Sequence, residues 1–251
     1  MSYLFHTIFY NPILNLLVFV YNNIPGHDIG IAIIVLTVII KLILLPLSKR
    51  ALQSQKAMQN IQPKLEALKE KYKDNKEALS KEMMALYKQE KVNPFSSCLP
   101  LLIQLPFFWA VFQVFRDELG SKALTNLYSF VSNPGVLDAM AFGLVDFSKP
   151  NIPLAILAGV SQFLQAKMMP QPTTAKKGTK EASMANIMGK QMMYFMPVVT
   201  IFICISLPSG LAFYWFLTTI LTVFQQMYLF KKVHGDKNDN ETKVIEGEVV
   251  K

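Results

Sequence analysis

Apolar residues in this chain gather into runs of membrane-crossing length, and this restricts its fold more than any other feature. Six stretches stand out, at 3–21, 29–47, 95–115, 150–169, 192–207 and 211–230. A helix rising ~1.5 Å per residue needs about 20 such residues to cross a hydrocarbon core of ~30 Å. Charged residues make up 17% of the 251 and hydrophobic ones 52%, with a mean hydropathy of +0.30. A soluble domain carries roughly 25% charge. Inside lipid every backbone N–H and C=O must be satisfied within its own segment, so runs of this length read as helices. The expected class is an all-α membrane protein.

The positive charges fix an expected orientation. Segment 48–94 holds eleven Lys and Arg, linker 167–190 holds five and the tail from 231 holds five, whereas 1–28 holds none and 116–149 holds three. Basic and non-basic connections therefore alternate, as five crossings with the N-terminus outside and the C-terminus in the cytoplasm require. Topology accounts for the net charge of +8, and no direct nucleic-acid binding is expected. Stretch 3–21 is interrupted by Asn11, Pro12 and Asn15. It reads as an amphipathic helix on the outer interface, with an extra span as the alternative. The first 28 residues lack the basic region of a secretory leader, so entry into the membrane is expected through the spans themselves. The turn residues Pro208, Ser209 and Gly210 predict a tight hairpin between the last two spans.

Segment 48–94 has its own periodicity. Met58, Ile61, Leu65, Leu68 and Tyr72 recur at spacings of three and four, and Leu79, Met83, Leu86 and Tyr87 repeat the pattern after Lys73-Asp74-Asn75-Lys76. Two amphipathic helices joined by a short turn are predicted, with Pro63 interrupting the first.

Lys41 is the sharpest single residue. It lies twelve residues after Ile29 and six before Leu47, in a run otherwise without charge. An ionisable group at such depth costs roughly 3 kcal/mol on insertion scales and usually faces a cavity or pathway. The alternative is snorkelling to the cytoplasmic end, only ~9 Å away by helical rise. None of the five spans contains an acidic residue, so compensation has to come from dipoles and water. By helical rise Lys41 and Gln162 both lie ~18 Å from the outer end, and Gln165 ~22 Å. Thr218, Thr222 and Gln226 share a helical face with Trp215, and Gln104 lies ~14 Å from the cytoplasmic end. Each of these amides and hydroxyls alone reads as ordinary interhelical bonding. Their shared depth points to a wet, positively charged groove.

Met184, Met188, Met192 and Met196 repeat every four residues, suiting either a surface for varied apolar partners or plain packing. Cys98 and Cys204 lie in separate apolar runs and suggest no disulfide or zinc site. His6, His27 and His234 are scattered, and no nucleophile–base set, metal motif or phosphate loop occurs. No enzyme activity, metal or cofactor is expected. A small transporter or channel with Lys41 as an anion site is the rival class. The missing internal repeat, the single intramembrane charge and the charged hairpin speak against it. A structural subunit or assembly chaperone is a third.

Three long motifs carry a resemblance: VIIKLILLPLSKRALQSQKAMQNIQPKLEALKEKY, EMMALYKQEKVNPFSSCLPLLIQLPFFWAVF, and FMPVVTIFICISLPSGLAFYW followed by TTILTVFQQMYL. Over roughly residues 8–232 the chain resembles the YidC/Oxa/Alb family of membrane protein insertases, its bacterial YidC branch most of all. The resemblance implies five core helices around a hydrophilic groove open to the cytosol and to lipid. It further implies the core without the large periplasmic domain of Gram-negative members. The groove arginine of the family falls on Lys41, which keeps the charge and loses the planar fork. Thr37 takes the place of the family's threonine one turn earlier. Gln104 matches the glutamine before the second-span proline, and Trp215 stands where the family usually has tyrosine. With Gln162, Gln165, Thr218 and Thr222 these form the expected substrate groove. Phe108 and Met196 fall on the face along which a substrate helix leaves.

The implied activity is insertion and folding of newly made membrane proteins, with or without the Sec translocon, at the bacterial cytoplasmic membrane. Implied partners are nascent membrane proteins, the bilayer, the Sec translocon, the ribosome and the signal recognition particle pathway. Five Lys against five acids in the tail give little for a ribosome to hold. The expected division is an N-terminal interfacial helix (1–28), a five-helix core with its cytoplasmic hairpin (29–230, hairpin 48–94) and a polar tail without fixed structure (231–251).

Overall fold

The computed structural model describes residues 3–93, 99–119, 124, 126–168 and 180–248, with the backbone alone at 99–101, 180–192 and 229–248. The start of the predicted second span at 95–98, and Met169 at the end of the third, lie outside the described residues. So do the side chains of Met184, Met188 and Met192.

Helices dominate. Helix α1 runs Tyr3–Asn23 with a π turn at His6–Tyr10. Then come α2 (Ile29–Asn60), α3 (Gln62–Lys71), α4 (Lys76–Gln89), α5 (Leu99–Glu118), α6 (Ile152–Met168), α7 (Lys180–Ile205) and α8 (Ser209–Glu248). Between α5 and α6 a two-stranded antiparallel ribbon pairs β1 (Met140–Ala141) with β2 (Val145–Asp146). Among the described residues, Tyr3–Asn23 and Ile29–Asn60 are long and apolar enough to cross a membrane, and Ile152–Met168 and Met193–Ile205 are shorter apolar helices.

Helix α8 is the central element, packing against α2, α5, α6 and α7. Helices α1, α2 and α5 form one side around a core that includes Leu14, Leu17, Ile33, Leu36, Val114, Phe115, Leu211 and Tyr214. Helices α6 and α7 form the other, where Ala155, Ala158, Gly159 and Ser161 present a small-residue face that lets backbones approach closely. Helices α5 and α7 share no extensive packing among the described residues, and α8 packs against both sides of the bundle. Leu42, Ile43, Phe202 and Tyr228 are exposed on its outside, as acyl chains rather than water would favour.

Helix ends are satisfied by the connections. Asp28 caps α2, its Oδ1 accepting from the Ile31 N–H at 3.0 Å, while its Oδ2 accepts from the Phe142 N–H at 2.5 Å. The expected turn at Pro208–Gly210 is displaced to Ser206–Pro208. Ser209 and Gly210 can already be helical because their N–H groups, orphans at a helix start, donate to the carbonyls of Lys149 (2.9 Å) and Phe147 (3.1 Å). At the far end, α8 continues as helix to Glu248 where the sequence reading expected a tail without fixed structure. No proline follows Pro208 to interrupt it.

Helix α2 runs unbroken past Leu47 to Asn60, so Met58 belongs to it. The break falls at Ile61, and Pro63 sits in the first turn of α3, where its missing N–H costs nothing. Met58, Ile61 and Leu65 are buried together, with Met83, Leu86, Tyr87 and Val92 packed on them. Lys64 and Glu90 close the pair at 2.6 Å, and Asn75 caps α4 through the Ala78 N–H. Helix α1 is tied to α5 and the α5–α6 segment. Tyr10 donates to Glu118 at 2.7 Å, Asn15 donates to the Asn126 carbonyl and accepts from the Tyr128 N–H, and the Asp138 N–H donates to the Tyr21 hydroxyl.

The α6–α7 contact is the tightest to perturb. A Cβ on Gly159 would collide with the Ile201 side chain and come within 3.0 Å of the Pro197 carbonyl oxygen. Gly159→Leu is expected to destabilise the protein by about 1–3 kcal/mol through overpacking. Thermal unfolding in detergent measures this, against Val160→Leu on the exposed face, which should leave the transition unmoved.

Candidate functional site

Lys41 lies on α2 and its side chain is half-buried against α8. Its Nζ donates to Thr222 Oγ1 at 2.7 Å. The Thr222 hydroxyl in turn donates to the Thr218 carbonyl at 2.7 Å, one turn back. With its proton committed to the backbone, that oxygen turns its lone pairs toward the ammonium. Among the described residues no carboxylate pairs with Lys41. A neutral dipole thus meets one of the ammonium's three donors.

One helix over, Gln104 on α5 donates through Nε2 to the hydroxyl of Tyr214 on α8 at 2.9 Å. Beside it the Phe108 and Trp215 rings meet edge to face, with centroids 4.8 Å apart. Together α2, α5 and α8 bring Lys41, Thr222, Thr218, Gln104, Tyr214, Trp215 and Phe108 onto one seam. Gln226, one turn beyond Thr222, is fully buried, and its Oε1 has no partner among the described residues.

The remaining expected residues are placed differently. Thr37 is buried and its hydroxyl turns back to the Ile33 carbonyl at 2.6 Å, the helix-interior bond typical of threonine. Gln162 on α6 accepts from Thr200 on α7, a bond that joins those two helices. Gln165 is half-buried on α6, and Met196 is exposed on α7. Sequence reasoning missed Tyr214 and Thr200. Each is a polar group in an apolar run and so detectable in principle, but Tyr214 reads as an aromatic packing residue.

Apolar outer faces together with a seam of hydroxyls, amides and one ammonium fit a helical membrane protein. The chain belongs to the family described as 60Kd inner membrane protein, which matches residues 19–237. It is similar to the membrane protein insertase YidC of Pelobacter propionicus, 38% identical over 232 residues, covering 91% of this chain and 39% of that protein. It is also similar to the proteins of that name from Rickettsia massiliae and Rickettsia felis, each 36% identical over 212 residues, covering 81% of this chain and 36% of theirs. The chain spans less than two fifths of the length of these curated relatives.

Tyr214→Phe leaves the Gln104 amide without its acceptor and should cost about 1–3 kcal/mol. Gln104→Leu combined with Tyr214→Phe removes both polar groups and should recover much of that loss. Thermal unfolding of the two single variants and the double variant in detergent gives the coupling directly.

Proposed function

We propose that this chain inserts newly made proteins into the inner membrane by admitting their hydrophilic segments to the seam beside Lys41. The observation that carries the reading is the Lys41–Thr222 contact, an ammonium held within apolar helices by a hydroxyl at 2.7 Å. Family membership and the insertase name of its relatives supply the activity class. A polar peptide crossing beside hydrated dipoles sheds less water than one crossing hydrocarbon, which lowers its desolvation cost. Lys41 adds attraction for acidic segments. The substrate's apolar helix then leaves into lipid along Phe108 and Met196, where α5 and α7 stand apart. Partitioning drives the step, without catalysis and without nucleotide.

In the same reading five helices cross the bilayer, α2 and α5 to α8, with α1 on the outer interface, the N-terminus outside and the C-terminus in the cytoplasm. The basic linkers support this orientation. The α3–α4 hairpin then projects into the cytoplasm, placed to receive nascent chains from the ribosome, the signal recognition particle pathway or the Sec translocon. Gln162, Gln165 and Thr37 border the groove without touching Lys41.

Lys41→Glu replaces attraction by repulsion. For single-span substrates with acidic translocated tails, insertion into reconstituted vesicles should slow about tenfold, equivalent to ~1.4 kcal/mol. Substrates with neutral tails should slow much less. Protease protection of the tails reads both rates, and equal rates for wild type and variant with acidic substrates would remove Lys41 from the mechanism.

A further inference from the structure

Between α5 and α6 the β ribbon reverses at Phe142, Gly143 and Leu144, with Ala141 paired to Val145 across the tip. Phe142 and Gly143 have φ of +56° and +65°, and the Leu144 N–H closes the turn on the Ala141 carbonyl at 3.0 Å. Phenylalanine in the left-handed region is strained, and such geometry persists only where the surroundings over-determine it. Here they do. The Phe142 N–H is held by Asp28, its ring packs edge to face on Phe213 (centroids 5.9 Å apart), and it lies over Gly30, where a Cβ would come within 2.6 Å of it.

This fixed tip nevertheless presents apolar side chains outward. Leu144 is 82% exposed, Phe142 45% and Met140 42%. On the opposite strand Asp146 is bridged by Lys149 at 2.8 Å, and that ammonium, with Ser148, holds its carboxyl below the usual range. The ribbon therefore has an apolar tip and a charged flank.

We propose that the tip is a lipid anchor, with Leu144, Phe142 and Met140 seated in the interfacial layer of the bilayer. Three helices begin beside the ribbon. Helix α2 starts at the Asp28–Phe142 bond, α8 at the Ser209–Lys149 bond, and α6 at Ile152, three residues after Lys149. The tip thus sits at the end of the bundle, where a spanning helix would meet the headgroup layer. Exposed apolar residues also mark the first turns of the helices that start there, Ile31 on α2 and Ile152 and Ile156 on α6. A lipid surface matches an anchor with no groove and no unpaired charge at its tip. The inference requires only that the chain resides in a bilayer, so it stands or falls separately from the insertase reading.

The test uses the full chain with Cys98→Ser and Cys204→Ala, carrying one nitroxide at Leu144→Cys, in vesicles of phosphatidylethanolamine and phosphatidylglycerol. Lys73→Cys, on the exposed α3–α4 turn, is the aqueous reference, and Ile156→Cys the acyl-chain reference. Power saturation should give Leu144→Cys an oxygen-to-nickel-chelate accessibility ratio several-fold above that of Lys73→Cys and approaching that of Ile156→Cys. A ratio equal to that of Lys73→Cys would overturn the proposal. Protection from both reagents would also overturn it, because another protein or a second copy would then cover the tip.

Discussion

An ammonium beside helices whose apolar runs hold no acidic residue depends on water and on oriented dipoles, and dipoles act only at close range and in the right direction. Lys41 and Thr222 satisfy this because α2 and α8 are in register. Lys41 lies thirteen residues after the Asp28 cap and Thr222 thirteen after Ser209, so both sit ~20 Å down helices that start side by side. The register is set at the shared end, where Asp28 holds both the first turn of α2 and the ribbon tip, and where the carbonyls of Phe147 and Lys149, just after the ribbon, hold the first turn of α8. A displacement of one helix by a single residue would rotate Thr222 ~100° away from the ammonium. The distant connection between α5 and α6 is therefore part of the architecture of the polar seam.

Two other polar pairs tie helices together, the first of them on the same seam. Gln104–Tyr214 joins α5 to α8, and Gln162–Thr200 joins α6 to α7. Each buries an amide with a partner, which avoids the cost of an unsatisfied group and fixes which helices are neighbours. Helices α5 and α7, which share no extensive packing among the described residues, carry the exposed Trp109 and Met196.

Much of the arrangement is legible in the residues themselves. Lys41 stands out because a charge in an apolar run has few tolerable positions. The Met58, Ile61, Leu65 stripe stands out because helical spacing repeats in the sequence. Thr222 could be matched to Lys41 by counting depth along two helices. Partner choice was less accessible. Gln162 shares Lys41's depth, yet Thr200 claims it, and depth arithmetic contains no information about rotation about the helix axis. Tyr214 is 110 residues from Gln104, and nothing local marks its hydroxyl as the acceptor. The β ribbon escaped notice because a positive φ at Phe142 is imposed by Asp28 and Phe213 rather than by its own preference. The displaced Pro208 turn has the same origin, since carbonyls from a remote segment decide where α8 begins.

The lack of extensive packing between α5 and α7 among the described residues has a mechanical consequence. A closed ring of packed helices can enlarge its interior only by breaking a contact, whereas an arc can open like a hinge about its central member. Here that member is α8, and the contact least able to yield, at Gly159, joins α6 to α7 on one side of it. Spreading α5 from α7 would strain neither that contact nor the Lys41–Thr222 pair, and the register set at the Asp28 end would stay fixed.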